Sequence, residues 1–370
     1  MDQWVPTGKK LKAFWNVPWR EVRRNLDNLR RDIGFNNFTF YTEWYTNGIK
    51  SSLPFLVNHP RSSNVRTKNQ WGRDIIHYLH DHGITVGAML QLYTFEAQAW
   101  EKELVLGGMD NRKWLPMKSV NVIADFTSGI YRKRLYQLIK EQLTLFPEFD
   151  YLFCEFEGMS DGVIFNAYRR WKKMELSKSL TRLHFADSIR RYCGKIESPL
   201  SLSWSMEVQD MLGHFMKQNL ATIQKAADDC RYHGKCGLVY NVGGYERYYG
   251  PKVIPNKQWW LLPWGYGGCP QDDWGYAINC KMLDLALEYL QQLHRNGYPV
   301  CYIGDVTINP CGLDYARWIW ELIDREKMAG YLGMGNPTVE LGLRFPKVND
   351  ERIRQARKLF AYLWPLKKKA

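Results

Sequence analysis

Hydrophobic and polar positions along this chain keep two alternating rhythms. Short apolar runs with the two-residue period of strands alternate with longer stretches in which apolar residues return every three or four positions, as on one face of a helix. Strands are expected at 11–16, 37–44, 84–93, 150–157, 200–207, 236–241, 259–264 and 299–305. Helices are expected at 19–33, 71–82, 130–146, 163–191, 212–232, 277–295, 313–327 and 350–363. The punctuation agrees: Pro18 stands at the start of the first helix and Gly34 just past its end, Gly83 closes the second, and Pro147 ends the third. Repeated strand–helix units give a mainly parallel sheet. Eight of them give an α/β fold, the (β/α)8 TIM barrel, with residues 1–327 as the barrel and 328–370 as a C-terminal extension. No GxGxxG turn follows the first strand, which argues against a dinucleotide-binding sheet.

Chemistry in such a barrel gathers at the C-terminal ends of the strands. Those ends offer Trp15 and Asn16, Glu43 and Trp44, Gln91 and Tyr93, Glu155 and Glu157, Trp204 and Glu207, Tyr240 and Asn241, Trp264 and Tyr266, and Asp305. Acids, amides and large aromatics dominate. None of the eight histidines falls at an expected strand end, which disfavours a Ser/His/Asp hydrolase. His77, His80 and His82 precede a glycine stop and suit the capping of helix carbonyls. Within 150–158, strand alternation places Tyr151, Phe153, Glu155 and Glu157 on one side. Two carboxyl groups crowded at one strand end raise the pKa of at least one of them, the requirement for a general acid near neutral pH. Carboxylates ringed by Trp and Tyr suit a polyhydroxylated ring whose leaving oxygen must be protonated, as in glycoside hydrolysis.

Composition adjusts this picture only slightly. The 45% hydrophobic and 24% charged residues are ordinary for a globular chain, whereas 16 Trp and 22 Tyr are many for 370 residues and fit stacking against sugar rings. The net charge of +13 concentrates in helices, as in 20–31, 131–140 and 168–173, and in Lys367, Lys368 and Lys369. Basic helix faces are most simply solvated, and no nucleic-acid-binding signature accompanies them. The eight cysteines show no CxxC and no Cys/His spacing, so neither a metal nor another cofactor is expected. Reduced thiols in a cytosol-like compartment are the simpler expectation, and secretion of a chain trimmed of its leader would look the same. Neither a signal-like stretch nor a membrane span is expected.

The stretch FDYLFCEFEG resembles the acid-bearing fourth strand of TIM-barrel glycoside hydrolases, in particular the chitinase-like family 18 and the hexosaminidase family 20. In family 18 that strand ends in an acid-x-Glu pair, and the sixth carries Met-x-Tyr-Asp; here they stand as Glu155-Phe156-Glu157 and Leu238-Val239-Tyr240-Asn241. The resemblance implies Glu157 as general acid/base and Glu155 as the group orienting a substrate acetamido arm. It also implies that Tyr240 and Asn241 hold an oxazoline-like intermediate. The chain departs from family 18 in having Glu155 in place of Asp, and from family 20 in spacing its acids by one residue. Substrate-binding positions are then Trp15, Asn16, Glu43, Tyr93, Trp204, Glu207, Trp264, Tyr266 and Asp305, and the partner is a carbohydrate.

Two alternatives stay open. One pairs Glu157 with Glu207 or Asp305 in a two-carboxylate mechanism on an acidic sugar, with Arg61 or Arg247 holding its charge. The other is a non-catalytic glycan-binding barrel. The expected seventh strand, 259–264, ends without an acid, which disfavours the retaining arrangement with glutamates on strands four and seven.

Overall fold

The computed structural model describes residues 2–3, 19–33, 37–44, 71–96, 105–108, 121–155, 167–168, 170–171, 206–241, 250–265, 291–305 and 329–333. In chain order the elements are β1 (Asp2–Gln3), α1 (Trp19–Ile33), β2 (Asn37–Trp44), α2 (Trp71–His80), β3 (Thr85–Glu96), β4 (Val105–Gly108), β5 (Asn121–Ala124) and α3 (Gly129–Leu145). They continue with β6 (Tyr151–Glu155), α4 (Met206–Asp229), β7 (Lys235–Asn241), α5 (Gly250–Val253), β8 (Trp260–Gly265), β9 (Cys301–Asp305) and β10 (Ala329–Gly333).

The helices obey their periodicity. In α1, Val22 and Leu26 are fully buried while Arg20, Arg23, Arg24 and Arg31 are exposed, so its basic residues form a solvated face. Helix α3 buries Tyr131, Leu135, Leu138, Ile139 and Leu143 and starts at Ser128, whose side chain accepts from Ile130 N at 3.1 Å. It packs on α4, where Phe126 and Phe215 meet edge to face at 6.5 Å and Asn219 Nδ2 donates to Phe126 O at 3.2 Å.

Strand order across the sheet is β1-β2-β3-β6-β7-β8-β9-β10, with every pair parallel. Each strand therefore lies beside its neighbour in the chain, and the order never reverses as it does at the switch point of a doubly wound sheet. Crossovers of one hand then put all helices on one side, and the sheet curls around the other as a (β/α)8 barrel. Beyond the barrel rim β3 continues and pairs antiparallel with β5, which pairs with β4. The expected insertion at 94–122 thus contributes a small antiparallel ribbon on the third strand.

Along the main path of the sheet eight strands are described, and they depart from expectation at three places: the first is Asp2–Gln3, no strand stands between β6 and β7, and Ala329–Gly333 ends the order. Strand β6 pairs directly with β7 over five residue pairs, from Tyr151↔Lys235 to Glu155↔Val239, which leaves no place between them for a strand at 200–207. Helix α4 already begins at Met206. The eighth strand is β10, which pairs residue for residue with β9, so residues 329–333 belong to the sheet and not to an extension that begins at 328. Cys301–Asp305 is consequently the seventh strand and Trp260–Gly265 the sixth. The expected strand at 11–16 and the helices at 313–327 and 350–363 lie outside the described residues.

Candidate functional site

Strand alternation divides the sheet into two faces. Cys154, Leu152 and Leu238 lie on the helix side, where Tyr131 of α3 interacts with Cys154. The opposite face carries Met89, Tyr151, Phe153, Val239, Leu262 and Cys301, packed as one buried cluster with Trp260 against it. This second set is the barrel interior.

Tyr151 anchors the lower part of that interior. Its hydroxyl lies 2.5 Å from Thr39 Oγ1 and 2.8 Å from Asn37 Oδ1, and it donates within 3.0 Å of Phe38 O. Its ring stacks on Phe153, with centroids 4.4 Å apart. Two glycines on the flanking strands make room for these rings. A Cβ on Gly87 would lie 2.5 Å from Tyr151 Cγ, and one on Gly237 would lie 2.5 Å from Leu262 Cδ1 and 2.7 Å from Phe153 Cδ1. Small residues on β3 and β7 and large ones on β6 interlock, which fixes the register of the strand that ends in Glu155.

Above this apolar floor, on the same face, come the polar strand-end positions. Glu43, Gln91 and Glu155 form one row, paired Glu43↔Gln91 and Gln91↔Glu155 across three adjacent strands. The row continues through Val239 and Leu262 toward Cys301, the first residue of the strand that Asp305 ends. Strand ends therefore climb around the wall, as tilted strands of a closed barrel must. Asn241 and Trp264 pair with each other one inner position higher, and Trp264 pairs with Ile303. Asp305 closes the seventh strand opposite Gly333.

The candidates separate accordingly. Glu43, Glu155, Asn241, Trp264 and Asp305 occupy inner-face positions at the C-terminal rim. Tyr240 pairs with Pro263 and Asn241 with Trp264, so the two take alternate positions along β7. Glu207 lies in the first turn of α4, not at a strand end, because the apolar alternation of LSLSWSME gives way to a helix at Met206. Tyr93 lies on β3 where the pairing with β2 shifts register, between Glu43↔Gln91 and Trp44↔Phe95. Trp15, Asn16, Glu157, Trp204 and Tyr266 lie outside the described residues. The expectation of a seventh strand without an acid is corrected: that strand ends in Asp305. Gln91, which strand-end position alone had offered, acquires a place because both its register partners are acids.

Elsewhere the polar groups are structural. Burial pushes the Cys301 thiol up to about 12 and raises Cys154 well above its ordinary value, so the interior thiols stay protonated and are poor nucleophiles. Cys154, Cys230, Cys236 and Cys301 are thiols rather than disulfides. At the opposite, N-terminal end of the strands, Asp150 accepts from Val86 N at 2.7 Å and lies 2.9 Å from His80 Nε2, while His82 Nδ1 lies 2.6 Å from Tyr78 O. His80 thus ties α2 to the barrel floor, while His82 caps a carbonyl of the helix it follows. Among the described residues, no group of three or more His, Cys, Asp or Glu is placed to hold a metal ion, and no helix is long and apolar enough to cross a membrane.

No protein-family model matches the chain, and no curated protein sequence matches it. Solved structures do. A polyextremophilic β-galactosidase from the Antarctic haloarchaeon Halorubrum lacusprofundi aligns with 94% of this chain at 12% identity and a TM-score of 0.56. A catalytic mutant of Gan42B, a GH42 β-galactosidase from G. stearothermophilus, aligns with 98% at 12% identity and a TM-score of 0.54. This chain spans 56% of the length of each. The likeness is one of fold, and it agrees with the strand order above.

Proposed function

We propose that this protein is a glycoside hydrolase whose proton donor stands at the end of the fourth barrel strand. The observation that carries this is the inner-face set Glu43, Gln91, Glu155, Asn241, Trp264 and Asp305, gathered at the C-terminal rim above a packed apolar floor. Carboxyl groups deliver a proton to a leaving oxygen, amides bind hydroxyls, and an indole offers a stacking face. The two neighbours named above are β-galactosidases, which is in keeping with this chemistry.

In this mechanism Glu157 is the general acid and then the base, and Glu155 orients the sugar, through an N-acetyl group where the substrate carries one. Asn241 stands on the neighbouring strand to hold the intermediate. A second arrangement is favoured by the strand count, which puts Asp305 at the end of the strand three places along the sheet from β6. Asp305 would then attack the anomeric carbon, or activate a water to do so, while the strand-four acid protonates the departing oxygen.

Hydrolysis of aryl glycosides, among them galactosides, N-acetylhexosaminides, uronides and a sialoside, tests the proposal. Glu157→Gln should lower kcat about 10²–10⁴-fold while leaving ligand binding intact. In the substrate-assisted case only N-acetylhexosaminides are cleaved and Asp305→Asn is mild. In the two-carboxylate case Asp305→Asn is as damaging as Glu157→Gln. Binding of sugars without turnover by the wild type would make the barrel a glycan-binding module instead.

A further inference from the structure

We infer that the ribbon β3–β5–β4 recognises the leaving group, and that this leaving group is itself a sugar. This rests on the glycosidase assignment and adds to it a substrate class: the bond that is cut joins two sugars. The placement follows from strand pairing. Within the barrel, β3 has β2 on one edge and β6 on the other, and the pairing with β6 ends at Gln91↔Glu155. Further along, Phe95 pairs with Trp44 of β2 on the first edge and with Val122 of β5 on the second. Strand β5 therefore takes the edge of β3 that β6 has left, and β4 joins its far side. The lateral order changes from β2-β3-β6-β7 within the barrel to β2-β3-β5-β4 above it. Since Trp44 directly follows Glu43, the partner of Gln91, the ribbon begins about 3.3 Å above the level of Glu155.

A general acid must stand within a hydrogen bond of the leaving oxygen, so the leaving group starts at the end of β6, where the ribbon begins. The base of the ribbon is fixed. Asp125 directly follows β5; its side chain, only 6% exposed, pairs with Arg170 and accepts from Thr127 N at 3.2 Å and Thr127 Oγ1 at 2.6 Å. Phe126 is buried against Phe215, and its carbonyl accepts from Asn219 Nδ2 at 3.2 Å. Such a base makes the ribbon a standing wall. Among the described residues β4 pairs only with β5, so its other edge carries backbone N–H and C=O groups outside the ladder. Gly107 and Gly108 lie in this strand, and glycine within a strand lets a ligand approach the backbone closely. Edge amides and carbonyls suit hydroxyls, which a second sugar has in number and a simple aryl or alkyl group lacks.

The test compares two substrates with the same glycone: the 4-nitrophenyl glycoside that the wild type cleaves, and oligosaccharides that end in the same sugar. One variant replaces residues 97–120 by Asn-Gly. This joins the paired Glu96 and Asn121 through a two-residue hairpin turn, and removes β4 while keeping β5 and its base. A second, Gly108→Val, keeps the whole ribbon and closes the approach to its edge, and it guards against a deletion that fails to fold. In both, kcat/KM on the oligosaccharide should fall by about 10–100-fold, as for the loss of two or three hydrogen bonds, and that on the 4-nitrophenyl glycoside by less than about threefold. Equal losses on the two substrates, or no loss on either, would overturn the inference while leaving hydrolysis in place. So would a wild type that cleaves the aryl glycoside and none of the oligosaccharides. A wild type inactive on both kinds of substrate, whatever the glycone, would instead overturn the glycosidase assignment, and the ribbon's role with it.

Discussion

A methyl group on Gly87 should unseat the strand that carries the candidate acid. The added Cβ would lie 2.5 Å from both Cγ and Cε2 of Tyr151, too near for any carbon contact. Because Cγ is the root of the ring, turning the ring about its own axis gives no relief, and the side chain must leave its rotamer. Doing so breaks the hydroxyl contacts with Thr39, Asn37 and Phe38 O and the stack on Phe153. Overpacking costs about 1–3 kcal/mol, and each lost buried hydrogen bond adds about 1 kcal/mol. A total of about 4 kcal/mol is expected for Gly87→Ala, measured from the urea unfolding midpoint at constant m-value. Tyr151→Ala should remove the clash together with the ring, so the double variant should be more stable than the sum of the single losses predicts. Full additivity, or a loss for Gly87→Ala below about 0.5 kcal/mol, would show that the interior is not interlocked in this way.

Three further outcomes follow from the same geometry. Arg170 pairs with Asp125, whose side chain is only 6% exposed and also accepts from Thr127 Oγ1 at 2.6 Å, so Arg170→Ala should strand a buried charge and cost about 3–5 kcal/mol by urea unfolding. Ser128→Ala removes the cap of α3 and should cost about 1 kcal/mol in the same assay. Alkaline stability should depend on Cys301: its folded pKa of about 12 lies above that of an unfolded thiol, so the folded state keeps a proton that the unfolded state gives up. The contribution of Cys301 is therefore complete below about pH 8.5 and falls by about 1.4 kcal/mol per pH unit above it; Cys154 and Cys236, raised in the same direction, add to the slope, so Cys301→Ala should reduce it without abolishing it in unfolding curves taken between pH 8 and 10.

Most of the barrel was legible along the chain because its long elements are strongly periodic. Val22 and Leu26 against Arg20, Arg23 and Arg24 already define a helix with one wet face, and the apolar alternation of 151–155 already places Glu155 on the same side as Tyr151 and Phe153. What local pattern misassigned were the two segments where propensity and pairing disagree. LSLSWSME alternates like a strand yet runs into α4, and AGYLG has too few branched side chains to announce a strand yet completes the sheet beside β9. Pairing with a strand far along the chain is a tertiary fact, and no window of local sequence contains it.

The candidate site shows the same division. Sequence by itself determined which residue types could do the chemistry and which side of its own strand each occupies, because the two-residue period is a property of the chain. Only the tertiary structure decided how the strands are counted and how they register. That is why Asp305 moved to the seventh strand and Glu207 to a helix. It is also why Gln91, unremarkable in its own strand, stands between Glu43 and Glu155: hydrogen-bond register between strands is set by how Gly87 and Gly237 receive the rings of Tyr151 and Phe153.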